Sequence, residues 1–380
     1  MVVRVYLKQA WNLMKQNPLF STLYIVGTGI SIVMTMVIAI VYYVRLAPVY
    51  PETNRMRTLV VKSAKMTNDE STHSSNISYA MLKDWFYSLE SAEVSTGVSG
   101  TSYARVTNDK EEIPTYARYT DENFFRVFPL VFLEGKPFTE ADRRSGIHNV
   151  VLTDSYAQQL FGTTKGVVGK NFLMDYTNVK VVGVVKSGSF LTPDSYAQVY
   201  LPYSCRDGYD DEGSHWALGG YRVYILMKES KSVTDVQDEV LELVRKFNVS
   251  DMGDGWKLDL VGQPELYWHS TFRLWSNVAV DWGRVIWMFV GIFMVLLFVP
   301  AFNLSGMISA RMERQLPDLG IRKAFGASRR RLLVQIIWEN LLLTGLGTLL
   351  GLVIAWIVLA LSGYEIFSLF EVFPKFPPKG

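Results

Sequence analysis

One cysteine, Cys205, stands in 380 residues, so no disulfide forms within the chain and a disulfide-stapled secreted scaffold is excluded. Histidine is nearly as scarce. His73, His148, His215 and His269 lie too far apart for zinc-ligand spacing. No G-x-x-x-x-G-K-[ST] stretch is present: Gly169-Lys170 lacks the upstream glycine and is followed by Asn171, so the chain carries no phosphate loop of its own. A G-x-S-x-G elbow and a Cys/His pair placed for nucleophilic catalysis are missing too. The acidic run Asp207, Asp210, Asp211 and Glu212 lacks the periodicity and distal Glu of an EF-hand and reads as a solvated loop. Excess charge is absent as well, with 38 Lys and Arg against 36 Asp and Glu. A uniformly basic nucleic-acid binder is therefore excluded.

The most informative absence is local. Mean hydropathy is +0.13 although 19% of residues are charged, which implies that two kinds of segment are averaged together. Leu19 to Val44 is free of charge between Lys15 and Arg45, Val285 to Ala310 between Arg284 and Arg311, and a third apolar window runs from Asn340 to Tyr364. A single central Lys, Arg or Asp costs roughly 2.5–3.5 kcal/mol in a membrane helix, so three such windows read as three spans of an integral membrane protein. The first is too long for a secretory signal.

Short basic flanks set the orientation. Arg4, Lys8 and Lys15 precede the first span without an acid. Between the second and third, Arg311, Arg314, Arg322, Lys323, Arg329, Arg330 and Arg331 face only Glu313 and Asp318. Both segments are expected on the cytoplasmic side. Residues 46–283 hold 24 basic against 31 acidic residues and are long enough to be translocated whatever their flanking charges Arg55, Arg57, Lys62 and Lys65. They are expected outside. Three crossings would leave Gly380 outside behind the proline-bearing tail Glu371–Gly380, so a fourth helix is expected beyond this sequence.

Val3, Leu7, Ala10, Trp11 and Met14 recur at helical spacing and predict an amphipathic helix on the inner membrane surface, either a topological anchor or part of a docking face. Small residues stripe two spans: Gly27, Ser31, Thr35 and Ala39 in the first, Gly347, Gly351 and Ala355 in the third. Such rows bring helix backbones close, within one chain or between copies. In the external part, Arg57–Val61, Asn178–Val185, Ala197–Leu201, Tyr221–Met227 and Trp256–Val261 read as strands. Asp154 is expected to cap a helix closed by Gly162. Ser232 with Asp235 opens another through Phe247, with Val236, Val240, Val244 and Phe247 on one face. Trp268, Trp275, Trp282 and Trp287 lie where an interfacial aromatic belt is expected.

The cytoplasmic loop holds the most specific signal. Asp318-Leu319-Gly320-Ile321-Arg322-Lys323-Ala324-Phe325-Gly326-Ala327-Ser328 resembles the signature of the MacB/FtsX-like permease family of ABC transporters, approximately E-I-G-I-R-[KR]-A-[LF]-G-A-[ST]. Asp318 stands for the family's Glu and Pro317 for the Arg before it. Physically, the stretch reads as a short helix that Gly326 closes before a sharp reversal. Further similarity runs through Asp121, Phe124, Phe125, Phe128, Gly135, Lys136, Pro137 and Phe138, then Val150-Val151-Leu152, Leu160-Phe161-Gly162 and Val181 to Val185, in the family's order.

The resemblance implies an integral membrane α-helical bundle, three spans in this chain and four in the family, with a large α+β extracytoplasmic domain. The implied organisation is a cytoplasmic amphipathic helix at 1–18, spans at 19–45, 284–310 and 339–364, the external domain at 46–283, a coupling helix leading into the third span at 311–338, and a tail at 365–380. It also implies a permease subunit of the bacterial inner membrane without catalysis of its own, with ATP and Mg bound by a partner ABC ATPase. A second copy or a related subunit would complete a dimer, with a periplasmic adaptor and an outer-membrane channel as further partners. Asp318, Gly320, Ile321, Arg322, Lys323, Ala324, Phe325 and Gly326 are the expected ATPase-coupling residues, with Leu7, Trp11 and Met14 beside them. MacB-like efflux or export ranks first among the family's outputs, then Lol-like lipoprotein release, then FtsX-like control of cell-wall hydrolases. A membrane-anchored sensor without an ATPase is the alternative from another class.

Overall fold

The structure is a computed structural model that describes Trp11, Lys15, residues 18–100, 102–108, 111–189, 192–206, 208–210, 217–250, 255–273, 275–296, 298, 317, 320, 321, 323–325 and 328–368. The chain divides into a helical unit, Met1–Tyr43 with Trp282–Phe373, and a unit built on Val44–Asp281.

In chain order the elements are helix α1 (Pro18–Leu46), strands β1 (Thr58–Val61), β2 (Ala64–Thr67) and β3 (Thr72–Ile77), helix α2 (Tyr79–Asp84), and strands β4 (Ala92–Ser99), β5 (Ser102–Asn108) and β6 (Glu111–Thr120). Helix α3 (Phe124–Val127), strand β7 (Phe132–Gly135), helix α4 (Glu140–Arg144), strand β8 (Asn149–Thr153) and helix α5 (Asp154–Phe161) follow. Then come β9 (Asn171–Met174), β10 (Thr177–Val185), β11 (Val199–Pro202), β12 (Leu218–Gly219), β13 (Tyr221–Met227), helix α6 (Val233–Val249), β14 (Lys257–Asp259) and β15 (Glu265–Leu266). Helices α7 (Trp282–Leu296) and α8 (Arg329–Ser368) are the last of the described elements.

The strands form two lobes. In the first, β14-β2-β3-β13-β1-β15 run side by side, with β12 on β3 and β4 on β13. Strand side chains alternate between faces, and the central strands are apolar on both. Leu59, Val61, Val223 and Ile225 point into a core shared with Met81 and Leu82 of α2 and Val236, Val240, Val244 and Phe247 of α6. Val60, Tyr224 and Leu226 point the other way, into a core shared with α3 and with Val151, Val185 and Tyr200 of the second lobe. That second core joins the lobes.

The second lobe closes on itself. β10 pairs with β8, β8 with β11, β11 with β6, β6 with β5, β5 with β9, and β9 again with β10, a six-stranded barrel with β7 laid along β10. Val150, Leu152, Val199 and Leu201 fill its interior with Tyr156, Ala157 and Leu160 of α5. Closure leaves these six strands without a free edge.

Local chemistry explains several termini. The Ser232 hydroxyl accepts from the Asp235 amide at 3.2 Å and the Asp235 carboxylate accepts from the Ser232 amide at 2.6 Å, a capping box that starts α6. Asp154 does not cap α5 as the sequence suggests. Thr153 holds the cap position, and the Asp154 carboxylate reaches sideways to the amide of Ser187 at 2.9 Å. Gly162, at φ 71°, ends α5 in the left-handed conformation. The run Trp256–Val261 yields only the short β14, because Val261 and Gly262 turn to positive φ.

In the helical unit, Ser21–Leu46 and Ile336–Val358 are long and apolar enough to cross a membrane. The expected span at 284–310 falls within the described residues only over Trp282–Leu296 and Phe298. α1 and α8 pack through glycine. A Cβ on Gly351 would lie 2.7 Å from the Gly29 carbonyl oxygen, and one on Gly347 2.8 Å from the Thr28 Cβ. The third-span stripe thus packs within the chain, against Ile25, Thr28, Gly29 and Ile32 rather than the Gly27-Ser31-Thr35-Ala39 row. The Ser31 and Thr35 hydroxyls donate back to the carbonyls of Gly27 and Ser31, while Tyr24 and Thr344 share a hydrogen bond of 2.9 Å between α1 and α8.

Candidate functional site

The segment with the signature is described at Pro317, Gly320, Ile321, Lys323, Ala324 and Phe325. All but Phe325 are helical, and all six are exposed. The Phe325 amide donates to the Ile321 carbonyl at 3.1 Å, closing one helical turn. Ile321 is 57% and Phe325 88% exposed, an apolar pair on a surface otherwise marked by Lys323. A Cβ on Gly320 would meet nothing within 4 Å, so Gly320 is not required there for close packing. Asp318, Arg322 and Gly326 lie outside the described residues, as do Leu7 and Met14. Trp11 is exposed, and the Lys15 ammonium stands 5.7 Å from the centre of its ring.

In the other unit, the residues matched to the family's external domain have structural work. Phe124 and Phe125 meet edge to face at 5.6 Å, Phe124 lies 4.9 Å from Phe128, and Phe125 packs edge-on against Phe138 at 5.3 Å. Gly135 sits at φ 72°, and a Cβ there would fall 2.1 Å from the Val182 carbonyl oxygen. Only glycine fits that crossing of β7 over β10. Phe124, Phe125, Phe128 and Phe138 belong to the core between the lobes.

Two buried polar nodes escape a reading of the sequence. Asp121, fully buried, accepts from the Thr96 hydroxyl at 2.6 Å and the Phe124 amide at 3.1 Å through one oxygen. The other accepts from the Gly97 amide at 2.9 Å and the Tyr87 hydroxyl at 2.5 Å. The Asn123 side chain donates to the Ser95 carbonyl and the Thr120 hydroxyl to that of Gly97. Side chains from the end of β6 thus satisfy backbone groups of β4, where the first lobe meets the second. Burial pushes the Asp121 carboxyl up to about 6, against the pull of the Thr96, Tyr87 and Gly97 donors.

The second node is an ion pair. Glu52 and Arg55 are 1% and 2% exposed. Burial raises the Glu52 carboxyl above its ordinary range, opposed by the Arg55 charge. For Arg55, burial alone would lower the guanidinium, and the charge and hydrogen bond of Glu52 together with Tyr267 and Asp194 outweigh it, so that it is raised. Near them Asp194 is held below the usual carboxylate range: burial alone would raise it, and Lys62 and Arg222 bring it down. Arg55 is a residue whose sequence position suggests only a flanking charge, and no local pattern announces that it is buried.

Known proteins were compared with the chain. The MacB-like periplasmic core domain matches residues 20–243 and the FtsX-like permease C-terminal region matches residues 277–378. The macrolide export ATP-binding/permease protein MacB of Escherichia coli O157:H7 is 22% identical over 69% of this chain and 39% of its own length. The pyoverdine export ATP-binding/permease protein PvdT of Pseudomonas entomophila is 25% identical over 61% of this chain and 34% of its own. The chain thus spans well under half the length of these curated relatives. Among solved structures, the periplasmic region of MacB from Actinobacillus actinomycetemcomitans is similar over 52% of this chain and 88% of that one, at 16% identity and a TM-score of 0.37. A domain of a permease protein from Porphyromonas gingivalis is similar over 54% and 88%, at 16% identity and a TM-score of 0.40.

Proposed function

Because this chain belongs to the MacB/FtsX-like permease family, we propose that it is the non-catalytic permease subunit of a MacB-like ABC transporter in the bacterial inner membrane. ATP hydrolysis by a separate cytosolic ATPase is coupled, in this proposal, to movement of the domain at 46–283, placed in the periplasm, for efflux or export of periplasmic substrates. The observation that carries the reading is the pair of family matches, periplasmic core and permease region, on a chain without a phosphate loop. The names of its relatives join ATP-binding and permease functions, and only the permease function is assigned to this chain.

Spans at 19–45, 284–310 and 339–364 would carry the movement, with the 1–18 helix and the 311–338 segment on the cytosolic side. Docking falls to Asp318, Gly320, Ile321, Arg322, Lys323, Ala324, Phe325 and Gly326, beside Leu7, Trp11 and Met14. Exposed Ile321 and Phe325 supply the apolar anchor such a contact needs, and the basic residues around them supply orientation. A dimer, a periplasmic adaptor and an outer-membrane channel complete the proposed assembly. A photo-crosslinker replacing Phe325 tests it in native membranes: the expected product is an adduct with an ATP-binding chain. Adducts confined to periplasmic proteins would refute the topology and the docking role together.

A further inference from the structure

α1 ends at Leu46, and the last carbonyls of any helix lack partners within it. Here one side chain takes one of them, that of Val44, and the carbonyl of Ala47 just past the helix. Arg55 donates through Nη1 to the carbonyl of Val44 and, at 2.8 Å, to that of Ala47. The other arm of the same guanidinium grips Oε2 of Glu52, with Nε at 2.9 Å and Nη2 beside it. Glu52 is occupied on every side. Its Oε2 also accepts from the Tyr267 hydroxyl at 2.8 Å, just past β15 of the first lobe. Its Oε1 accepts from the amide and hydroxyl of Ser195 at 3.0 and 2.7 Å, in the loop before β11 of the barrel. The Arg55 guanidinium lies over the Tyr267 ring, 5.2 Å from its centre. One ion pair therefore joins the end of α1, the lead-in to β1, the end of β15 and the barrel.

A buried ion pair is by itself weak evidence of added stability. Burying two charges costs several kcal/mol per ion, and a packed apolar pair of the same volume is often as stable. An apolar pair lacks direction. The planar fork of Arg sets two carbonyls and one carboxylate at fixed angles, which the single ammonium of Lys does not do. The segment between Leu46 and Thr58 would otherwise be a linker, and a flexible linker dissipates torque. We infer that Arg55, with Glu52, is a pin that fixes the chain at Val44 and Ala47 to both lobes, so that the segment from Val44 to Thr58 is held as part of the domain. This deepens the coupling proposal and rests on it for its purpose, though not for its geometry.

The test uses the full chain in lipid nanodiscs, with Cys205→Ser and spin labels at Leu46→Cys and Tyr176→Cys, the latter at an 83% exposed position. With the pin intact, the label pair should give one narrow distance. Arg55→Lys keeps the charge but loses the fork, and the distribution should broaden while amide exchange at Val60 and Tyr224 stays slow. Glu52→Leu with Arg55→Met removes both charges together, so no lone buried ion is left, and should broaden it equally. An unchanged width in both variants overturns the inference. A second arm adds the ATPase partner and ATP. If label mobility at position 176 responds to ATP in the unsubstituted pin and not in the variants, both pin and coupling stand. A response that persists undiminished in the variants overturns the pin. No response even with the pin intact, alongside the narrow distance, refutes the coupling proposal and leaves the joint established.

Discussion

Asp121 joins two lobes with one carboxylate, and its chemistry gives the residue-scale prediction. Its folded value of about 6 lies above the ordinary 3.8, so folding takes up a proton between those values. The contribution is fully present below about pH 4 and is lost as pH rises through 6, an effect of about 3 kcal/mol. Urea midpoints of the full chain in detergent should therefore fall from pH 4.5 to 7.5 by more in the wild type than in Asp121→Asn. Equal falls would show that Asp121 does not titrate in that window. Neither Asp121 nor the Glu52–Arg55 pair was legible as a buried node. Burial of a charge depends on partners such as Tyr87, Thr96, Ser195 and Tyr267, which tertiary folding brings from distant positions. The phenylalanines and glycine that follow Asp121 were legible as a family pattern, and their packing gives that pattern its physical reason.

Among the elements, α6 was readable because its signals are local: Ser232 and Asp235 make the capping box, and Val236, Val240, Val244 and Phe247 share a face. Replacing Ser232 with Ala should cost about 1 kcal/mol, seen as a lowered denaturation midpoint. β1, β10, β11 and β13 were readable as apolar runs. β3, with the sequence Thr-His-Ser-Ser-Asn-Ile and an exposed face, has no such run. Closure of the barrel through β5, β9 and β10 leaves no mark in the sequence, because it is a matter of long-range pairing. The glycine stripe was legible as a packing surface but not as to its partner. Gly351→Val would push a methyl-bearing carbon against the Gly29 carbonyl and Ile32, and overpacking of this kind costs typically 1–3 kcal/mol. Gly345→Ala, where a Cβ meets nothing within 4 Å, should leave the thermal midpoint of the detergent-solubilised chain unchanged. If both variants melt alike, α1 and α8 do not meet through this face.

For the whole molecule, the proposal is one of relay: energy released on a partner ATPase would enter at the 317–325 segment and emerge in the domain at 46–283. Two of the three charge-free windows coincide with helices long and apolar enough to cross a membrane, and they were legible because membrane insertion is governed by composition over short stretches. The cargo was not, since any exported molecule would meet an external surface whose exposed residues follow no diagnostic spacing. Gly326→Val should uncouple the machine, because a β-branched residue resists the reversal expected after Phe325. Membrane insertion should be normal, ATP hydrolysis retained and export lost. Loss of insertion instead would make Gly326 a folding residue.

The most direct measurement is ATP turnover by the purified chain in nanodiscs, alone and after addition of its ATPase, with Phe325→Asp in parallel. The account predicts no hydrolysis by the chain alone, hydrolysis regulated by the permease in the complex, and loss of that regulation and of binding in Phe325→Asp. Hydrolysis by the isolated chain, or a complex indifferent to Phe325→Asp, would contradict it.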